Sequence, residues 1–143
     1  MSKIPGGYLE WNGQQMFMVA TKETVKAMKQ AAIHTQGVAK NMIGKGGGKP
    51  HRPSMPGNPP RRDTGILASS VSYSVKVRGF TVKGMVGSDS DRIRGRRPGT
   101  DPMYGLWLET GTNKMAARPW LKPSLIKATP KIVSIFRKAL SKL

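Results

Sequence analysis

Seven carboxylates, two histidines and no cysteine are the whole inventory from which this 143-residue chain could build a catalytic or metal site. Without cysteine there is no disulfide, no thiolate zinc site and no thiol nucleophile. His34 and His51 are too far apart in sequence for a local metal site, and no His–Glu spacing typical of zinc helices occurs. The carboxylates are scattered along the chain rather than paired. The expectation is a non-enzyme with no cofactor and no metal. Lys45-Gly46-Gly47-Gly48-Lys49 matches a phosphate-cradling loop in composition alone, because it lacks the closing Gly-Lys-Ser/Thr and no strand precedes it.

Charge is the more informative chemistry. Twenty-five Lys and Arg against seven Asp and Glu give a net charge of +18, so the surface repels its own kind and attracts polyanions or acidic protein faces. The cations fall into three groups. Lys45, Lys49, Arg52, Arg61 and Arg62 lie in a Gly/Pro-rich stretch over 44–62 that contains no acid. Arg92, Arg94, Arg96 and Arg97 lie in a second stretch over 90–102, together with Asp91 and Asp101. Lys127, Lys131, Lys138 and Lys142 punctuate the last segment, which holds no acid at all. Each group reads either as solvated surface or as a face turned toward DNA or an acidic partner. Three Trp, three Tyr and three Phe form no stacking platform with the spacing of a known module.

One acid stands apart. Glu109 is the only carboxylate after Asp101, and it sits in an apolar, aromatic run, where a buried carboxylate needs a cationic or backbone partner. Arg118 is the nearest fixed charge that could serve. Thr110-Gly111-Thr112 supplies a tight turn, and Arg118-Pro119 can fix the approach of the following helix with Trp120 buried. Glu109, Gly111, Thr112, Arg118, Pro119 and Trp120 therefore read as one motif, either architectural or in contact with a partner.

The elements that must position these residues are legible as patterns. Met18, Thr21, Val25, Met28, Ala32, Thr35, Ala39 and Met42 recur at three-four spacing and predict a helix over 16–43, packed within its own subunit or along a seam between subunits. Gly44 stops it. The stretch 44–62 predicts a long, mobile loop. Asp63 or Thr64 is placed as the cap of a short helical turn. Val71, Tyr73, Val75 and Val77 alternate with polar residues, as do Val82 and Val86, predicting antiparallel strands over 71–77 and 81–87 joined at Arg78-Gly79. The stretch 90–102 predicts a second exposed loop.

Leu121, Leu125, Ala128, Ile132, Ile135, Ala139 and Leu143 predict a terminal helix with the lysines along much of the opposite face. Within it, Pro130 either starts a new helix or kinks a continuous one. The result is one α+β domain over 1–143: an N-terminal arm over 1–15, a long N-terminal helix, and a C-terminal helix packed on a small antiparallel sheet, with two long basic loops. No apolar run approaches the ~18 residues of a membrane span, and Met1-Ser2-Lys3-Ile4-Pro5 opens no signal core, so no membrane partner is expected and the chain is expected to stay soluble in the cytoplasm where it is made.

The segment from Tyr104-Gly105-Leu106-Trp107-Leu108 through Glu109-Thr110-Gly111-Thr112 to Ala117-Arg118-Pro119-Trp120-Leu121 resembles the tail-completion or neck protein family of long-tailed double-stranded DNA bacteriophages. That family carries a Tyr-rich apolar stretch ending in Glu-Xaa-Gly-Thr, followed by a small residue, Arg-Pro, an aromatic residue and Leu. Upstream, Asp63-Thr64-Gly65-Ile66-Leu67-Ala68-Ser69-Ser70 looks like the family's Thr-Gly-Xaa-Leu-hydrophilic-Ser segment, and the order of helix, loop, hairpin, motif and terminal helix agrees over roughly 17–143. The two basic stretches are long for the family, and Tyr8-Leu9-Glu10-Trp11 has no counterpart in it, so their contacts do not carry over.

The resemblance implies a structural virion protein of the head–tail connector, found at the neck of the particle and in the host cytoplasm during assembly. Its implied partners are further copies of itself in a ring, neighbouring connector and tail proteins, and the packaged DNA. Six copies match the six-fold tails of such phages, with twelve as the alternative. A basic nucleic-acid-binding protein is the other reading, which accounts for the charge alone.

Overall fold

The computed structural model describes residues 2–4, 7–9, 13–44, 52–62, 64–96 and 98–143, those up to position 17 by backbone alone. Two short strands, β1 (Ser2–Ile4) and β2 (Gly7–Leu9), pair antiparallel within the predicted N-terminal arm. Glu10 and Trp11 lie outside the described residues.

Helix α1 (Gly13–Met42) follows, 30 residues long and so roughly 45 Å from end to end. It is built from Ala, Lys, Gln and Met, which lose little side-chain freedom in a helix. It ends where Gly44 adopts a left-handed φ of 108° and donates its N–H to the Pro60 carbonyl at 2.8 Å. The predicted eight-residue stripe is corrected at its N-terminal end, since Met18 is 66% exposed. The buried positions are Ala27, Ala31, Ala32, Thr35 and Ala39. α1 is clasped between two partners, the terminal helix on one side and the β-hairpin on the other. Its buried arc is therefore wider than one stripe, and small residues let both partners approach.

The described part of the Gly/Pro-rich segment, 52–62, is irregular but docked, which corrects the expectation of a mobile loop. Ser54 and Pro60 are buried. The Gly57 N–H donates to the Ala117 carbonyl at 3.0 Å, and Arg61 Nη1 donates to the Arg52 carbonyl at 2.6 Å. Backbone polar groups that find protein partners hold a segment as a strand ladder would.

Helix α2 (Ile66–Ser70) starts after Gly65, whose φ of 74° is left-handed; Gly65 occupies the cap position and makes no side-chain cap hydrogen bond, so the predicted Thr64 cap is corrected. Asp63, the other expected cap, lies outside the described residues. Strands β3 (Val71–Arg78) and β4 (Thr81–Ser88) form the predicted hairpin in a register running from Val71↔Ser88 to Arg78↔Thr81, closed by Gly79-Phe80 with Gly79 at φ 55°. Val75 pairs with Gly84, and a Cβ on Gly84 would meet Met28 Sδ at 2.6 Å, which shows how closely β4 lies on α1. Gln36 Nε2 donates to the Val71 carbonyl at 2.8 Å and pins the start of β3 to the same helix.

The predicted basic loop over 90–102 is in part a helix, α3 (Ser90–Arg96), which corrects the expectation of a loop throughout. The Asp89 carboxylate accepts the backbone N–H groups of Asp91 and Arg92 at 3.0 and 3.3 Å, a side-chain cap, and Ile93 is fully buried. Helix α4 (Tyr104–Thr110) comes next, then α5 (Leu121–Leu140), which continues unbroken with Pro130 inside it. Of the two readings of Pro130, the continuous helix is the observed one.

The chain is thus α+β, with a long N-terminal helix and a C-terminal helix packed against a small two-stranded antiparallel sheet. Ala39, Ile43, Leu67, Ala68, Val71, Leu108 and Trp120 form the core where the ends of α1 and α4 meet α2, β3 and the start of α5. Among the described residues no helix is long and apolar enough to cross a membrane.

Candidate functional site

The Glu109 motif resolves into a helix-capping device. The N-terminus of α5 leaves four backbone N–H groups without intrahelical partners. Trp120 stands at the cap position and offers no side-chain hydrogen bond to them. Glu109, from the last turn of α4, takes over that role: Oε2 accepts from the Trp120 and Leu121 N–H groups at 2.7 and 2.8 Å, and Oε1 accepts from the Lys122 N–H at 2.9 Å. The fourth position is Pro123, which has no N–H. All four positions are therefore accounted for, and the carboxylate sits at the positive end of the helix dipole. The expected Glu109–Arg118 pair is corrected accordingly. Backbone donors satisfy Glu109, while Arg118 Nε donates to the Ser54 carbonyl at 2.9 Å and so docks the Gly/Pro-rich segment.

The rest of the motif holds this geometry. Gly111 has φ 76° and ψ 173°, a region essentially closed to other residues, and a Cβ there would stand 2.9 Å from the Ala117 nitrogen. Thr112 and Met115 exchange two backbone hydrogen bonds across the turn that follows. The Arg118 N–H donates to the Leu108 carbonyl at 2.7 Å, and Pro119 leads into the α5 cap. Trp120 is buried, and its indole N–H donates to the Gly105 carbonyl at 3.0 Å, so the only polar atom of the ring is satisfied inside the core.

Of the cations singled out from sequence, Lys131, Lys138 and Lys142 are brought together. They line an open groove of about 560 Å³ between α5 and α1, where Lys26 joins them from α1. Glu23 is the one carboxylate in its lining, and among the described residues no ion pair engages any of the four lysines. The lysines were expected opposite the apolar face of α5. They flank it instead, because at 100° per residue they fall beside Ala128, Ile135 and Ala139 on the side where α1 lies. Lys127 is exposed and does not line the groove. Lys26 was missed from sequence because its neighbour in space lies more than a hundred residues away.

The remaining cations are dispersed. Arg61 and Arg62 line a smaller hollow of about 210 Å³ beside Thr64 and Tyr104. Arg92 and Arg94 contact Asp89 and Asp91 on the surface at 3.6 and 3.8 Å, and Arg96 is exposed. Arg52 is exposed at the start of the docked segment. Lys45, Lys49 and Arg97 lie outside the described residues.

The outer side of α5 carries the other feature sequence reasoning passed over. Ile126, Val133 and Leu140 stand seven residues apart, and they are 65%, 47% and 57% exposed. Leu125 and Leu143, which the sequence places on the apolar face with Ala128, are also exposed, which corrects that face, and they extend the stripe. A signal was present, since a seven-residue apolar repeat beside the expected buried face marks a second seam.

No family model, no curated protein and no solved structure matches this chain. The surfaces just described, with the sequence motifs, are what its function is read from.

Proposed function

We propose that this chain is a structural virion protein of a phage head–tail connector, one subunit of a neck or tail-completion ring that joins the DNA-filled head to the tail and lets DNA pass. The observation that carries the reading is the outward apolar stripe of α5, Ile126, Val133 and Leu140 with Leu125 and Leu143 beside them, because a contiguous apolar face on a chain of charge +18 calls for a partner surface. The resemblance of the 104–121 motif names the kind of assembly, and the capping role of Glu109 gives that motif a physical reason to recur as a unit. Six copies are favoured, with twelve as the alternative; the neighbours are connector and tail proteins.

The net charge also sets the behaviour of the isolated subunit. Ring closure brings like charges together, so the purified chain is expected as monomers or small oligomers at low salt, with the closed ring formed inside the particle. Symmetry-free image classification of the neck of particles carrying this chain tests the reading directly. A closed ring supports it, whereas absence from the particle or a single off-axis copy overturns it. Val133→Asp with Leu140→Asp supplies the second arm: the variant melts as the parent does, since both positions are exposed, and fails to enter particles.

A further inference from the structure

We propose that the groove between α1 and α5 seats the phosphate backbone of double-stranded DNA, held by Lys26, Lys131, Lys138 and Lys142. The inference goes beyond the connector reading and does not depend on it.

Lys26 from α1, Lys131 and Lys138 from α5 and Lys142 just beyond its end face one open groove, and among the described residues that line it a single carboxylate, Glu23, opposes them. Like charges gather in this way only where water or an anion separates them, and a polyanion does so while releasing its own counterions. The start of α5, at Trp120, packs in the core with Ala39 and Ile43 from the end of α1, while Lys131–Lys142 lies against Glu23–His34. The two helices therefore run antiparallel, and the lysines are strung along the groove rather than bunched at one end. Lys142 lies eleven positions after Lys131, and at ~1.5 Å per residue they span about 16 Å. A duplex strand advances ~3.4 Å per phosphate along its axis, so the groove matches about five phosphates.

The chemistry of the lining selects among polyanions. Among the described residues no Phe, Tyr or Trp lines the groove, and the lone imidazole of His34 gives successive unpaired bases no run of rings to stack on, which disfavours a single strand. The cations are all lysine, which acts as a mobile point charge, and no arginine is placed to read a base edge by two parallel hydrogen bonds. Binding is accordingly indifferent to sequence. Lysine is also depleted from the buried centres of protein–protein interfaces, which sets this groove apart from the apolar seam on the outer side of α5.

The test is fluorescence anisotropy of the full chain with a labelled mixed-sequence DNA duplex, titrated across sodium chloride concentrations. It compares the parent with Lys26→Gln/Lys131→Gln/Lys138→Gln/Lys142→Gln and with a control of equal net charge, Lys76→Gln/Arg78→Gln/Lys83→Gln/Lys114→Gln, whose four cations are exposed elsewhere. Each lost phosphate contact lowers the slope of log affinity against log salt by ~0.9, so the groove variant is expected to lose about 3.6 from the slope and the control less than about 1. Affinity at moderate salt is expected to fall at least about 100-fold for the groove variant alone. Circular dichroism melts of the two variants are expected to match the parent; should the quadruple groove variant fail to fold, Lys131→Gln and Lys138→Gln singly carry the test, each lowering the slope by about 0.9.

Equal losses in both quadruple variants overturn the proposal, because the attraction then belongs to the overall charge. Tighter binding to a single strand of equal phosphate count overturns it in favour of a strand-binding site. Displacement of the duplex by polyglutamate as effectively, charge for charge, as by unlabelled duplex overturns it in favour of an acidic protein face. None of these results bears on whether the chain is found in the neck of a particle.

Discussion

Removal of the Glu109 carboxylate tests the capping geometry most sharply. In Glu109→Ala the N–H groups of Trp120 and Leu121 lose their acceptor in a half-buried setting, whereas that of Lys122 is exposed and is taken up by water. An unsatisfied buried donor costs about 1–3 kcal/mol and loss of an ordinary N-cap about 0.5–2 kcal/mol, so the variant is expected to lose about 2–4 kcal/mol. Glu109→Gln keeps one acceptor oxygen but loses the charge at the helix end and one hydrogen-bonding arm, for about 1–2 kcal/mol. Urea unfolding at neutral pH, followed by far-ultraviolet circular dichroism, reads both values, and a chain of this size should melt roughly 3 °C lower per kcal/mol lost.

A double-mutant cycle with Arg118→Ala separates the cap from an ion pair. Arg118 bonds the Ser54 carbonyl and not Glu109. The two losses should therefore add to within about 0.5 kcal/mol, as for residues with no shared partner. A Glu109→Ala loss below about 0.5 kcal/mol would refute the capping argument, and a coupling energy above about 1.5 kcal/mol would restore the ion pair in its place.

Gly111→Ala forces a Cβ into a backbone region nearly reserved for glycine and within 2.9 Å of the Ala117 nitrogen, so a loss of about 2–4 kcal/mol in urea unfolding is expected; a neutral result would contradict the described turn. The Met103 N–H, and after it the Trp107 indole N–H, donates to the Asp101 carboxylate and holds its pKa below the usual aspartate range. Its contribution to stability is thus present above that range and is lost as pH falls through it toward the lower folded-state value. The gap in urea midpoint between the parent and Asp101→Asn should therefore be widest near neutral pH and close on acidification, and a gap that widens in acid would reverse the assignment. Arg94→Glu with Arg96→Glu alters two exposed positions on α3 and is expected to leave unfolding within about 0.5 kcal/mol of the parent while impairing the joining of virion components; normal particle yield would make that face solvated surface.

What the sequence determined by itself was everything set by local spacing. The alternation of Val71, Tyr73, Val75 and Val77, the three-four recurrence that runs into Ala39 and Met42, and Gly44 and Gly79 as stops and turns were sufficient for α1, the hairpin and α5, because helix and strand periods are properties of neighbours in the chain. The spacing of Glu109, Gly111, Arg118, Pro119 and Trp120 likewise marked a unit. Helix α3 was also within reach, since Asp89 stands as a cap four residues before Ile93, but the surrounding Arg, Gly and Pro outweighed that signal.

The tertiary structure alone decided how these pieces are partnered. Whether Glu109 meets a guanidinium or a helix end depends on the angle at which α4 delivers it to α5, and that angle is set by the Trp120 indole bonded to the Gly105 carbonyl and by the backbone of Gly111. Whether the α5 lysines face open solvent or a groove depends on where α1 lies, a relation between residues about a hundred positions apart. The Gly/Pro-rich segment was docked by hydrogen bonds to Ala117 and from Arg118, sixty residues onward. Such contacts have no period in sequence, because they come from the packing of whole elements around a shared core, and they are selected by the cost of burying a backbone N–H or C=O without a partner.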